Sequence, residues 1–177
     1  MSTPKPPSPQ RSALLVIDVQ QAMFKKSTPV YQSETLLANI LSLAAKAREA
    51  GASVVWVQHC DARDLVPDTP GFQLHPALVP QEADLKLRKQ KSNAFEGTGL
   101  RGMLEQRGAN SVVVCGMVTH GCVKNTCLGA LEEGWQVTLA ADAHSSYSKD
   151  AAAMIEKWNA ALAEAGVSVV ESALINF

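Results

Sequence analysis

Short apolar runs alternate with longer stretches of helical periodicity along most of the chain. Ala13 to Ile17 is apolar without a break, which predicts a strand buried on both faces. From Thr35 to Ala50 the apolar residues recur at helical spacing, and Gly51 ends the run. The two patterns then repeat, predicting strands at 53–57, 85–91, 111–115, 135–140 and 167–170, and helices at 100–107, 122–133 and 149–165.

This order of elements predicts the fold class. A strand, a helix and a second parallel strand form a right-handed unit, and repetition of that unit builds a parallel sheet between two layers of helices. We therefore predict an α/β fold of the three-layer αβα, Rossmann-like type, with a six-stranded, mostly parallel sheet. A single domain is predicted over residues 12–177, preceded by a disordered, proline-rich tail at residues 1–11.

Composition and charge narrow the classes of function. Hydrophobic residues make up 46% of the 177 residues, and 16 Lys and Arg nearly balance 17 Asp and Glu. This balance favours neither nucleic acid nor a membrane surface as partner, and a small molecule is the expected ligand. The chain starts without the apolar run of a signal peptide, and its four cysteines form no CxxC pair. We therefore expect a cytoplasmic protein with reduced thiols.

Three reactive side chains are predicted near the carboxyl ends of strands, where parallel sheets bind ligands. Asp18 follows the first strand, Lys89 or Lys91 lies at the end of another, and Cys122 follows the strand at 111–115. Each residue alone has an ordinary structural explanation, as a helix cap, a solvated cation or a small buried side chain. Together they would place a carboxylate, an ammonium and a thiol at one edge of the sheet.

The surroundings of Cys122 favour a nucleophile. Residues 115–126 run from a strand through a loop into a helix, so the thiol is expected in the first helical turn. There the helix dipole would lower the thiol pKa, and free backbone N–H groups could hold an oxyanion. Asp18 could carry the proton from the thiol to a leaving group.

Four motifs stand in order along nearly the whole domain. They are Leu-Val-Ile-Asp-Val-Gln (15–20) with Phe24 behind it, Ala-Phe (94–95) with Gly-Thr-Gly-Leu (97–100), Gly-Met-Val-Thr (116–119) leading to Cys-Val (122–123), and Ala-Asp-Ala (141–143). In these motifs the chain resembles the isochorismatase-like cysteine hydrolases.

The resemblance implies roles for individual residues. It implies a catalytic triad of Asp18, Lys89 and Cys122, and it selects Lys89 over Lys91 because the family lysine precedes the Ala-Phe pair by five residues. It also implies a cis peptide bond between Val118 and Thr119, with an oxyanion hole formed by backbone N–H groups at Thr119 and Cys122. The residues expected to bind the substrate are Phe24, Phe95, Thr119 and His120.

Other features point away from metal and cofactor chemistry. Nicotinamidases of the same superfamily hold a metal with an Asp-x-His pattern, whereas His59 here follows Val57 and Gln58. No glycine-rich turn follows the first strand, so dinucleotide binding is not expected. We predict no metal and no cofactor. His75 is expected in a loop that is either a lid or simply anchored by its apolar neighbours, and His144 is expected to be structural.

The function predicted from the sequence is hydrolysis of a C–N bond in a small amide, imide or ureido compound, through a thioester at Cys122. One alternative is isochorismatase-type hydrolysis of a vinyl ether, with Asp18 as the acid and no role for the thiol. A second is a non-catalytic binding protein on the same scaffold, in which Cys122 would be inert. The family resemblance also implies a homo-oligomer, a dimer or a tetramer.

Overall fold

The computed structural model describes residues 11–177. The predicted disordered tail therefore lies outside the described residues, except for Arg11. That residue is hydrogen-bonded to Asn110 through its backbone N–H and its carbonyl oxygen.

Within residues 11–177, the fold contains six strands and four α-helices. The strands are β1 (Ser12–Ile17), β2 (Ser53–His59), β3 (Leu85–Lys89), β4 (Ser111–Met117), β5 (Gln136–Ser145) and β6 (Ser168–Val170). The helices are α1 (Ser33–Glu49), α2 (Leu100–Gln106), α3 (Lys124–Glu132) and α4 (Ala151–Glu164). Short 3-10 turns lie at Gln21–Lys25 and Ser172–Leu174, and a wider helical turn spans Thr119–Val123. No helix of the described chain is long and apolar enough to span a membrane.

The strands form one sheet in the order β3-β2-β1-β4-β5-β6, and all five neighbouring pairs are parallel. The predicted three-layer fold is thereby confirmed. The strand order reverses between β1 and β4, so the crevice at their carboxyl ends is the position where such sheets bind ligands.

Both faces of the sheet are buried, as the unbroken apolar runs predict. On one face, Leu14 and Val16 of β1 pack with Ile40 and Leu43 of α1. On the other face, Leu15 and Ile17 pack with apolar residues of α2, α3 and α4. All six residues of β1 are buried, so this central strand fixes the position of whatever follows it.

Strand β5 is longer than its predicted span of 135–140. Val114 pairs with Leu139 while Gly116 pairs with His144, so β5 carries extra residues opposite Cys115. This irregularity breaks the simple alternation of the sequence and lets the strand continue to Ser145. As a result His144 lies beside the end of β4.

Gly116 permits the close approach of β4 to β1. It has a positive φ of 115°, and a Cβ there would lie 2.2 Å from the carbonyl oxygen of Ile17. That oxygen belongs to the backbone of a central strand, so it cannot move aside. Glycine is therefore required at this position.

We predict that Gly116→Ala lowers the free energy of unfolding by about 3 kcal/mol or more, because the new methyl group meets backbone atoms and φ is unfavourable for alanine. Gly102→Ala is the matched control, since Gly102 lies inside α2 and a Cβ there would have no part of the described chain within 4 Å apart from its own helix. Urea unfolding should show the control to be as stable as the wild type or slightly more stable. Equal effects of the two substitutions would contradict the packing described for β4.

Candidate active site

Asp18 is held in an unusual backbone conformation directly after β1. Its φ is 51°, in the left-handed region that residues other than glycine rarely adopt, and its N–H donates to Val57 O at 2.9 Å. The side chain is fully buried. Strained residues of this kind are concentrated at functional sites, where the surrounding structure holds them in place.

Lys89 is the last residue of β3, and its side chain is also fully buried. Its Nζ donates to Asp18 Oδ2 at 2.8 Å and to Cys122 Sγ at 3.2 Å. Lys91, the other lysine considered from the sequence, is exposed and contributes only its carbonyl oxygen, which accepts from Lys89 Nζ at 3.1 Å. The structure therefore brings Asp18, Lys89 and Cys122 together and leaves the Lys91 side chain outside.

The Lys89 ammonium has more acceptors than protons. Besides Asp18 Oδ2, Cys122 Sγ and Lys91 O, its Nζ lies 3.1 Å from His59 Nδ1. An ammonium group carries three protons, so these four acceptors cannot all receive a full hydrogen bond at once. The sulfur is the weakest of them while it is a thiol, and it becomes a strong one when it is a thiolate.

His59 ends β2 and faces the same ammonium. Because Lys89 Nζ can only donate, His59 Nδ1 must be the unprotonated nitrogen, which leaves the proton on Nε2. Burial and the neighbouring Lys89 charge both lower the pKa of His59, so the imidazole is neutral. No pattern in the sequence indicated that this ring contacts Lys89.

Burial raises the pKa of the Asp18 carboxyl, although the Lys89 ammonium counteracts that rise. Burial and the Asp18 charge raise the pKa of the Cys122 thiol to about 12. The raised pKa favours the protonated thiol in the resting site, in contrast to the thiolate that the helix dipole was expected to favour. Cys122 lies before the first residue of α3, half-buried and beside a carboxylate, and these two features are the causes of its raised pKa.

Cys122 lies in a wide helical turn, Thr119–Val123, which we call the cysteine turn. Gly121 inside it has non-helical backbone angles, so the turn is distinct from α3. The cis peptide bond joins Met117 to Val118, and its predicted position between Val118 and Thr119 is wrong. Neither bond involves proline, so no local signal separates the two, and β4 runs as far as Met117 before the chain turns.

The predicted substrate-binding residues are in different environments. Phe24 is half-buried, with its ring 4.5 Å from that of His75, and His120 is exposed. Phe95 is only 5% exposed and packs in the core with its ring 6.0 Å from that of Trp135, so little of it is open to a ligand. Thr119 is buried at the start of the cysteine turn.

Gln20 was not singled out from the sequence, yet it joins the site to the long loop that follows β2. Its buried amide donates to His59 O and Phe72 O and accepts from His59 N–H. Gln20 also forms an isolated bridge with Leu74. The loop segment expected as a lid or an anchored loop is therefore fastened to the end of β1 by a buried side chain.

Asp18, His59 and Cys122 offer an oxygen, a nitrogen and a sulfur within 4.8 Å of one another, a set that could hold a metal ion. Lys89 Nζ, however, is hydrogen-bonded to an atom of each of these three side chains. A metal ion there would be repelled by the ammonium and would have to displace it. The residues present therefore do not fit a resident metal.

A family model described as the isochorismatase domain matches residues 12–172. The chain belongs to the isochorismatase family. Streptothricin hydrolase of Streptomyces noursei is 39% identical over 142 residues, covering 79% of this chain and 51% of that protein. The chain thus spans about half the length of this curated relative, and 56% of a second streptothricin hydrolase of that organism.

Two further similar proteins have activities in their names. Maleamate amidohydrolase of Pseudomonas putida is 28% identical, covering 72% of this chain and 68% of that protein. The crystal structure of the pyrazinamidase of Pyrococcus horikoshii in complex with zinc superposes with a TM-score of 0.80 at 25% identity. It covers 91% of this chain and 99% of that one.

We predict that Lys89→Met lowers the free energy of unfolding at neutral pH by about 3–5 kcal/mol, because the Asp18 carboxylate is left buried without its partner. The loss should shrink in acid. Without Lys89 the pKa of Asp18 in the folded protein rises further above its value in the unfolded chain. As pH falls, the folded protein therefore binds this proton at a higher pH than the unfolded chain does. The variant is thus more stable in acid, and its stability falls as pH rises from the pKa of the unfolded chain to that of the folded protein.

Urea unfolding at neutral and mildly acid pH measures this difference. Lys91→Met is the control and should match the wild type at both pH values, because the Lys91 side chain is exposed. Adding Asp18→Asn to Lys89→Met should recover part of the loss. A Lys89→Met loss that is independent of pH would contradict the description of the buried pair.

Proposed function

We propose that the chain is a cysteine hydrolase that cleaves a C–N bond in a small amide, imide or ureido compound. The observation that carries the proposal is the simultaneous contact of Lys89 Nζ with Asp18 Oδ2 at 2.8 Å and Cys122 Sγ at 3.2 Å. A nucleophile, a base and a cation that touches both are the groups this chemistry requires. They meet beside the crevice at the carboxyl ends of β1 and β4.

In the first half of the reaction, Asp18 takes the proton from the Cys122 thiol as Sγ attacks the substrate carbonyl carbon. Asp18 Oδ1 is buried and has no hydrogen-bond partner within residues 11–177, so it is available for that proton. The resulting oxyanion is held by backbone N–H groups at Thr119 and Cys122. Asp18 then protonates the nitrogen, the C–N bond breaks, and an amine or ammonia leaves a thioester on Cys122.

In the second half, Asp18 removes a proton from a water molecule that attacks the thioester carbon. The carbon–sulfur bond breaks, and the acid departs. The departing sulfur recovers the proton from Asp18, which restores the resting thiol and carboxylate. Each half therefore uses Asp18 once as a base and once as an acid, and the balance of protons closes over the cycle.

Lys89 stabilises the charge as it moves between these two groups. While Asp18 is ionised, the ammonium pairs with its carboxylate. When the proton passes to Asp18, the negative charge moves to sulfur, and Lys89 already lies within hydrogen-bond distance of it. No rearrangement of the cation is needed, which is the condition for effective electrostatic stabilisation in a buried site.

The relatives support the class of bond. Maleamate amidohydrolase and pyrazinamidase carry amide hydrolysis in their names. We extend that class of reaction, but no particular substrate, to this chain. The zinc present in the pyrazinamidase crystal structure is not extended to it, because Lys89 contacts the three side chains that would otherwise offer a metal site.

We expect prolonged dialysis of the protein against EDTA to leave its rate of hydrolysis unchanged, because the proposed reaction uses no metal ion.

Vinyl-ether hydrolysis remains the second candidate, because the raised pKa of Asp18 also suits a carboxyl that donates a proton. In that reaction Cys122 would have no covalent role. The effect of Cys122→Ala therefore separates the two candidates directly.

We predict that Cys122→Ala lowers kcat on the best compound of an amide, imide and ureido panel by on the order of 10³-fold or more, since no thioester can form. Release of ammonia or amine is the assay. Cys60→Ala, another half-buried cysteine, is the matched control and should keep the wild-type rate. Mass spectrometry of rapidly quenched wild-type enzyme should find the acyl group on the Cys122 peptide.

If Cys122→Ala hydrolyses the compound at the wild-type rate while Asp18→Asn does not, the thiol mechanism is wrong and acid chemistry at Asp18 replaces it. If neither substitution changes the rate, the site proposed for the reaction is wrong.

We predict an acid limb of kcat/KM above the ordinary aspartate pKa of 3.8, because Asp18 must be ionised to act as the base and burial raises its pKa. Activity is therefore lost as pH falls through that raised value. Initial rates across pH measure the limb, and carboxyl carbon NMR of Asp18 measures the same pKa without substrate. A limb at or below 3.8 would contradict the assignment of Asp18 as a buried base.

Two further expectations remain part of this proposal. The chain is expected to form a homo-oligomer, a dimer or a tetramer, which light scattering during size-exclusion chromatography would measure. The protein is also expected to be cytoplasmic, and fractionation of the source cells would test this location.

A further inference from the structure

Outside the triad, a second row of hydrogen-bonded side chains contacts the cysteine turn at Thr119. His144 of β5 is 3% exposed, and its Nδ1 lies 2.9 Å from Thr119 Oγ1. Its Nε2 lies 2.8 Å from Asn159 Oδ1, on α4. The extra residues in β5 place His144 beside Gly116 of β4, so this row joins three elements that are distant in sequence.

Donor and acceptor chemistry, together with a neutral His144, sets the direction of each of these hydrogen bonds. Asn159 Nδ2 donates to Ala141 O at 3.1 Å, so the amide oxygen of Asn159 must be the atom that faces His144. That oxygen can only accept, so His144 Nε2 carries a proton, and Nδ1 carries none in the neutral imidazole that burial favours by lowering the pKa of His144. The Thr119 hydroxyl therefore donates to His144 Nδ1, and its proton is unavailable to a substrate.

Thr119 is the first residue of the cysteine turn and is held at both its side chain and its backbone. Its carbonyl oxygen accepts from the N–H of Lys124, the first residue of α3. In sequence, Cys122 lies between Thr119 and Lys124, the two residues joined by this backbone hydrogen bond. A change in the orientation of Thr119 would therefore shift the nucleophile and the backbone N–H groups proposed to hold the oxyanion.

The environment of His144 keeps it neutral. Burial lowers the pKa of His144, while Asn159 and the Asp142 charge act in the opposite direction. Asp142, Glu156 and Tyr31 line a neighbouring cavity of about 220 Å³ together with His144, and Asp142 already accepts hydrogen bonds from Asn39 and Ser172. The imidazole therefore acts as a fixed acceptor for Thr119.

We propose that His144 and Asn159 are positioning residues, which orient Thr119 and thereby hold the cysteine turn in the geometry that attack by Cys122 requires. The inference rests on the proposed function and adds to it two residues that touch neither the substrate nor the reacting atoms. Because the turn serves the transition state, its displacement should lower kcat more than it changes KM.

The first experiment compares kcat and KM for substitutions at His144 and Asn159. His144→Leu is expected to lower kcat by about 10- to 100-fold with KM nearly unchanged, as for a small misplacement of reacting groups. His144→Asn should recover most of the loss, because its amide oxygen can accept from Thr119 in place of Nδ1. Asn159→Ala should give a smaller decrease in kcat.

Asn39→Ala is the matched control for Asn159→Ala. Asn39 is also a helical asparagine whose amide donates to β5, at Asp142 O and Oδ2, but unlike Asn159 it is not hydrogen-bonded to His144. The two variants should lose similar stability in urea, and only Asn159→Ala should lose kcat. Equal kcat values for the two variants and the wild type would overturn the inference.

The second experiment needs no substrate. Nitrogen NMR of ¹⁵N-histidine-labelled protein should show His144 with one proton, on Nε2, between about pH 5 and 8. In Asn159→Asp a carboxylate faces Nε2, so the pKa of His144 rises and both nitrogens should be protonated at neutral pH. The kcat of that variant should then fall as pH drops through the raised pKa, an ionisation absent from the wild type.

The outcomes distinguish this inference from the proposed function. A proton on Nδ1 of wild-type His144, or wild-type kcat in His144→Leu while Cys122→Ala is inactive, would overturn the inference and leave the thiol mechanism standing. If Cys122→Ala is fully active, the proposed function fails. The nitrogen spectra, and the shifts of the Thr119–Val123 amide signals in Asn159→Ala, would still decide whether His144 orients the turn.

Discussion

The buried pair of Lys89 and Asp18 is the interaction on which the rest of the site depends. Both side chains are fully buried, and removing two charges from water costs several kcal/mol for each ion before their attraction is counted. Asp18 also has a left-handed backbone conformation. Such an arrangement persists only when the surrounding structure holds it, and here two buried strand ends and the backbone of β2 do so.

The pair also explains why the thiol rests in its protonated form. A cation alone beside Cys122 would favour the thiolate, but this cation is already paired with the buried Asp18 carboxylate. The nucleophile is therefore created only when its proton moves to Asp18. Reactivity therefore depends on transfer of one proton between Cys122 and Asp18, whose pKa values are both raised.

Much of this arrangement could be predicted from the sequence. The unbroken apolar run at 13–17 gave a central buried strand, and the rule that parallel strands bind ligands at their carboxyl ends brought Asp18, Lys89 and Cys122 to one edge. The choice of Lys89 over Lys91 came from the resemblance, because alternation along a strand puts both lysines on the same face. The other features depend on contacts distant in sequence. The thiol pKa depends on burial, the length of β5 on an irregular pairing with β4, and the environment of Phe95 on Trp135.

The most direct test of this account is the rate at which iodoacetamide alkylates each cysteine across pH, resolved by peptide mass spectrometry. Wild-type Cys122 should be labelled slowly at neutral pH, with an apparent pKa well above the ordinary thiol value. In Asp18→Asn the carboxylate charge is gone and Lys89 can pair with sulfur, so labelling of Cys122 should become faster at neutral pH and its apparent pKa should fall. A wild-type Cys122 that is already a thiolate at neutral pH, or one whose labelling is indifferent to Asp18→Asn, would contradict the account.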